Sequence, residues 1–188
     1  MMQRFLTTIV LLGLSTCCFG AEPMTRLPRP HFHPSAADPA WLAQAVQFHG
    51  HLGPWAIAGL RAGLCARGAV KADGYFDVDV TVEGPFVKPP HSCFLDGLQV
   101  STGATLGKRN LKWKKAEKIV VRLKNTRSGK VVEVRPTPAL MKLVTSFKPS
   151  AKSDDHDHGL DHSPLETIAR RIAVMPEKEI LRVTHARR

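Results

Sequence analysis

An α+β fold, with helices and antiparallel strands gathered in a single core, follows from three features of the sequence. Phe76, Val78, Val80 and Val82 alternate with Asp77, Asp79, Thr81 and Glu83, the period-two signature of a half-buried strand. Ile119, Val121 and Leu123 are followed by the turn signal Asn125-Thr-Arg-Ser-Gly129 and then by Val131 to Val134, which reads as a hairpin. Helical patterns lie around these strands without regular strand–helix alternation, which argues against a doubly wound parallel sheet.

The first twenty of the 188 residues are read as an export signal, because Arg4 precedes the apolar run Phe5–Leu14 and small residues lead to Gly20. That run is shorter than the roughly 20 apolar residues a bilayer span needs. Cleavage after Gly20 predicts a periplasmic or secreted domain. Leu14-Ser-Thr-Cys17 is a competing lipoprotein box that Thr16 fits poorly. Cys17 and Cys18 fall in the signal, so Cys65 and Cys93 remain, and a disulfide between them is one reading in an oxidising compartment.

Residues 21–38, rich in Pro, Arg and His, are expected to be a tether, with the folded domain spanning 39–188. Asp38 and Pro39 are placed to start a helix whose apolar face is Trp41, Leu42, Ala45, Val46 and Phe48. It stops at His49-Gly-His-Leu-Gly-Pro54. Pro54 opens a second helix, to about Arg67, whose face of Ala58, Gly59, Ala62 and Gly63 is small enough to let another backbone come close. After the 76–83 strand, Cys93 to about Thr105 reads as a helix. Beyond the hairpin, Pro136 to about Phe147 reads as another helix, and 149–163, with four Asp and three His, as a surface loop. A helix from Pro164 to about Val174 and a strand from Glu179 to Thr184 close the chain.

Chemistry concentrates in a few places. His49 and His51 flank Gly50 where a helix ends, and Gly50 and Gly53 free the backbone to swing both imidazoles toward one point. Neutral imidazole is a common ligand for zinc and other late transition metals. Cys93, Asp96 and Gln99 recur every three residues and share one helix face, where a core helix would normally carry Leu or Val. A thiol, a carboxylate and an amide on one face need partners, and a metal or a reactive thiol would supply them. Ser101-Thr-Gly-Ala-Thr-Leu-Gly-Lys-Arg-Asn110 is not a phosphate-binding Walker loop, since its glycines are one residue too close and Arg109 stands where Ser or Thr would hold magnesium. Asp154 to His162 reads either as a low-selectivity metal trap or as a soluble spacer.

The formal charge of +11 lies mostly in residues 108–135, which hold eleven Lys or Arg against Glu117 and Glu133. Nucleic-acid binding is not expected, because Trp113 is the only aromatic in that stretch able to stack on bases and an exported protein rarely meets nucleic acid. The stretch is read instead as a solvated hairpin face that touches anionic lipid at the membrane periphery or an acidic partner.

Three of these motifs together resemble the FmdE domain family, which takes its name from formylmethanofuran dehydrogenase. The matching elements are Phe48-His-Gly-His51, Cys93-Phe-Leu-Asp-Gly-Leu-Gln99 and Thr102-Gly-Ala-Thr-Leu-Gly-Lys-Arg-Asn110, in family order, and the resemblance covers about residues 39–145. It implies an α+β core that commonly forms a homodimer, with a cleft that can hold a metal. Residue by residue, it implies His49, His51 and Cys93 as ligands, Asp96 and Gln99 behind them, and Thr102, Gly103, Lys108 and Asn110 shaping the wall. Two departures stand out: many members have Cys where this chain has Gly53, and no C-terminal zinc finger with paired cysteines follows Cys93. The resulting expectation is an exported domain with a divalent metal, zinc foremost, at a His/Cys cleft. As an enzyme it would act on a small anionic substrate held by Lys108, with Asp96 or His91 moving protons. The rival expectation is a periplasmic metal carrier or buffer that captures ions with the Asp/His-rich loop.

Overall fold

The computed structural model describes residues 28–146 and 163–185. The export signal and the Asp154–His162 stretch lie outside the described residues. In chain order the elements are α1 (Ala40–His49), α2 (Pro54–Val70), β1 (Val78–Gly84), α3 (Cys93–Thr102), β2 (Leu111–Lys115), β3 (Val120–Asn125), β4 (Val131–Pro136), α4 (Pro138–Val144), α5 (Ser163–Val174), α6 (Glu177–Ile180) and β5 (Leu181–His185). The fold is α+β.

The strands form one sheet in the order β2-β1-β3-β4-β5. Neighbours from β1 through β3 and β4 to β5 are antiparallel, whereas β1 and β2 run parallel and are joined through α3. This crossover is the one departure from the antiparallel sheet expected. β2 is not among the predicted strands: Leu-Lys-Trp-Lys-Lys exposes four of its five residues at the sheet edge, where charge protects the unpaired backbone and hides the period-two signal.

Val78, Val80, Val82, Val121, Leu123, Val132 and Val134 are buried on the inner face of the sheet. Against it lies α2, which touches β3 and β4 as well as α3 and α5, and it is therefore apolar nearly all round. The small face predicted for α2 is its interface with α3. A Cβ at Gly59 would collide with the Phe94 carbonyl, and one at Gly97 of α3 with the Ala56 carbonyl and the Leu60 amide. The opposite sheet face is charged. There the Arg122 guanidinium reaches Glu83 and Glu133, each at 2.6 Å, and so links three adjacent strands.

Several boundaries shift for local reasons. Asp38 does not cap α1, because its carboxylate accepts from the Ser35 amide at 2.9 Å and from Arg170 Nε at 2.7 Å. Helix α3 ends at Thr102, where Gly103 takes φ 68° and donates its N–H to the Gln99 carbonyl. Helix α4 begins at Pro138 rather than Pro136, since Thr137 between the two prolines is the better cap and accepts from the Leu140 amide. Phe76, expected on the first strand, is 82% exposed and precedes β1.

Residues 31–38, expected within a tether, pack onto the domain. The His31 N–H donates to the Gly50 carbonyl at 2.7 Å, and His31 pairs with His51 in a short parallel bridge. Farther on, Arg170 of α5 bonds Asp38, Glu166 and the His33 carbonyl, and its guanidinium sits 5.6 Å from the centre of the Phe32 ring. Glu166 is 2% exposed and also accepts from His33. An N-terminal strap thus runs from α5 to the His-Gly-His loop.

Candidate functional site

His49 is the last residue of α1, and Gly50 ends the helix at φ 95° with its N–H on the Val46 carbonyl. Only glycine adopts that left-handed geometry without strain. The reversal brings His51 back beside His49, with ring centroids 4.5 Å apart. From the other side, the first turns of α3 present Cys93, Asp96 and Gln99 on one face, as their spacing predicts. The Nδ1 of His49 donates to Asp96 Oδ2 at 2.7 Å, and Gln99 Nε2 reaches Asp96 Oδ1 at 3.4 Å.

The His49 side chain is only 8% exposed. Burial opposes a charge on its ring, but the bond to Asp96 and the neighbouring Cys93 sulfur outweigh it, and the imidazole pKa is pushed up to about 9. Its remaining nitrogen, Nε2, is buried and meets no hydrogen-bond partner among the described residues. A Cβ placed on Gly53 would lie 2.9 Å from His51 Nε2 and 3.6 Å from His49 Nε2. Both Nε2 atoms therefore face the small space that Gly53 leaves beside its backbone.

Next to this pair is a cavity of about 370 Å³, lined by His49, Cys93, Asp96 and Gln99 on one side and by Leu106, Leu111 and Trp113 on another. Trp113 and Leu111 come from the unpredicted β2, whose parallel register pairs Val80 with Leu111 and Val82 with Trp113 and so turns both toward the inner side. Sequence reasoning did not find these two. The available signal was a single Trp amid lysines, which marks an edge strand with one side covered.

The remaining expected residues lie elsewhere. The His91 ring stands edge-on against Trp55, with centroids 4.6 Å apart, and does not line the cavity. Thr102 is buried, with its hydroxyl on the Leu98 carbonyl, and Gly103 is the helix cap. Asn110 donates to the Tyr75 and Val78 carbonyls and accepts from the Thr105 amide, which pins the 105–110 loop to β1. Lys108 places its ammonium 5.8 Å from the centre of the Phe76 ring. Among the described residues no Lys or Arg lines the cavity, so the cation expected to hold an anionic substrate is absent from it. Thr102, Gly103, Lys108 and Asn110 frame the site without entering it.

Cys65 and Cys93 are both free thiols. Burial, together with Glu177, pushes the Cys65 thiol up to about 12, which makes it unreactive. Among the described residues, no group of three or more His, Cys, Asp or Glu side chains is arranged to hold a metal ion as it stands. The donor chemistry nevertheless fits one: a buried imidazole nitrogen without a partner, its ring fixed by a carboxylate through the other nitrogen, a second imidazole and a thiol nearby.

The family model described as "FmdE, Molybdenum formylmethanofuran dehydrogenase operon" matches residues 48–182. The chain belongs to the FmdE family. The match begins at Phe48, immediately before the His-Gly-His loop, and runs into β5, so it takes in α3 and reaches all five strands of the FmdE sheet. No curated protein matches the chain.

Proposed function

We propose that this FmdE domain is exported and binds a divalent transition metal, zinc foremost, through His49, His51 and Cys93. The observation that carries this reading is the buried, unpartnered Nε2 of His49 held in place by the Asp96 carboxylate at 2.7 Å. A buried polar atom left unsatisfied is costly, and a carboxylate on the far nitrogen is the usual partner of a metal-binding imidazole. Asp96 fixes the ring, the proton that the raised pKa keeps on Nε2 would give way to a bound ion, and Gln99 steadies Asp96. Gly53 leaves space where both Nε2 atoms face. A bound ion of this class would supply Lewis-acid polarisation to a ligand in the adjoining cavity. Export rests on the N-terminal apolar run Phe5–Leu14 after Arg4.

The second reading, a metal carrier or buffer, is favoured by the composition of residues 154–162, with four Asp and three His. Metal analysis of the tag-free protein separates the two. For the cleft site, about one ion per chain is expected, lost in Cys93→Ser and kept when residues 154–162 are deleted. Metal that survives Cys93→Ser but disappears with the deletion assigns the binding to the loop instead.

A further inference from the structure

The cavity beside the His/Cys pair has a chemical character of its own. Its volume of about 370 Å³ lies at the small end of the range for small-molecule sites, enough for a one- or two-ring compound. Its lining is largely apolar and includes Leu95, Leu106, Leu111 and Trp113. The Trp113 indole N–H already donates to the Gly84 carbonyl at 3.1 Å, so this side chain offers a ring surface rather than a hydrogen bond. The Gln99 amide, also in the lining, spends one N–H on Asp96 and leaves its carbonyl for a donor in the cavity. Among the described residues no Lys or Arg lines the space, and Lys108 is engaged over Phe76.

We propose that this cavity binds an uncharged aromatic or heteroaromatic ring that bears a hydrogen-bond donor, with the ring against Trp113 and the donor on Gln99. The inference rests on reading the cavity as the ligand site beside the candidate metal, but it needs no ion in place. Discrimination comes from two features. The Trp113 face rewards a flat ring, and an organic anion finds no unpaired cation, since the charge on His49 is already matched by Asp96 at 2.7 Å and no Lys or Arg is among the described lining residues.

The test uses chelator-treated, metal-free protein, so a failure here is distinct from a failure of the metal assignment. Nicotinamide and nicotinate have the same ring and nearly the same size but differ in charge, and phenol is a second neutral probe. Each is titrated while the indole ¹⁵N–¹H signals of the three tryptophans are followed, with Trp113 assigned by its loss in Trp113→Phe. The expected result is saturable movement of the Trp113 signal with nicotinamide or phenol, and nicotinate weaker by about tenfold or more. By calorimetry, Trp113→Ala should weaken the neutral probe about tenfold while Trp113→Phe, which keeps a ring, stays within about threefold of the parent. Nicotinate binding as tightly as nicotinamide, no response of Trp113 to either neutral ring at about 10 mM, or equal affinity in folded Trp113→Ala would overturn the proposal.

Discussion

Gly53 shows how one missing methyl shapes the site. A Cβ there would approach His51 Nε2 to 2.9 Å, which is the far end of a side chain able to turn away, while the Gly53 backbone, at φ −105°, accepts any residue. Gly53→Ala is therefore expected to keep its unfolding midpoint, with a stability change under about 1 kcal/mol. Its metal affinity should fall by about tenfold or more, because a displaced imidazole no longer shares the space with His49. Thermal unfolding and metal titration on the same preparation check both halves. Asp96→Asn should cost about 10- to 100-fold in metal affinity through the loss of the carboxylate on His49; affinity equal to the parent would remove Asp96 from the site. At this scale the sequence was most legible for α3, since Cys93, Asp96 and Gln99 at threefold spacing are hard to reconcile with a core face. It was least legible for Lys108 and Asn110, whose side chains turn to Phe76 and to the Tyr75 and Val78 carbonyls through contacts some 30 residues distant.

Elements bring those residues together, and their packing makes its own predictions. Because a Cβ at Gly97 would strike the backbone of α2 at both Ala56 and Leu60, neither of which can rotate aside, Gly97→Ala is expected to destabilise the fold by about 3 kcal/mol. Denaturant unfolding that changes by less than about 1 kcal/mol would contradict the close α2–α3 contact. The N-terminal strap gives a second case. Arg170→Ala leaves Glu166, at 2% exposure, and Asp38 without their guanidinium, and should cost about 2 kcal/mol, less than a fully buried pair because Arg170 is 27% exposed. Cleavage within residues 28–38 should also speed up in limited proteolysis. The strap was not legible because its pattern has no period; it is held by individual polar contacts to α5, which lies more than 130 residues away. The hairpin and the small face of α2 were legible, since each follows from local periodicity.

For the whole molecule, the sheet divides the chain into a helical side that builds the site and a charged side that faces away from it. Two carboxyls tie charge to stability. The hydrogen bond from Arg170 holds Asp38 below its ordinary value, and the one from Arg122 does the same for Glu133. A lowered native pKa stabilises the fold fully above the unfolded-state value, about 4 for such groups, and that contribution is lost as pH falls below it. Unfolding midpoints should therefore be flat with respect to these groups from pH 7 to about 5 and drop below about pH 4. The drop should be shallower in Arg122→Gln, where Glu133 has lost its main partner. The α+β class was legible in the sequence, but the parallel β1–β2 pair was not, because its edge strand hides under lysines while supplying the aromatic wall of the cavity. What this fold accomplishes is to bring the end of α1 against the start of α3, so that the His49 imidazole lies beside His51 and against Asp96 and Cys93; the proposed function adds that His49, His51 and Cys93 share one ion. X-ray absorption of the zinc-loaded protein tests that claim most directly. The account predicts a shell of two imidazole nitrogens at about 2.0–2.1 Å and one sulfur at about 2.3 Å. A shell without sulfur, or one unchanged by Cys93→Ser, would contradict it.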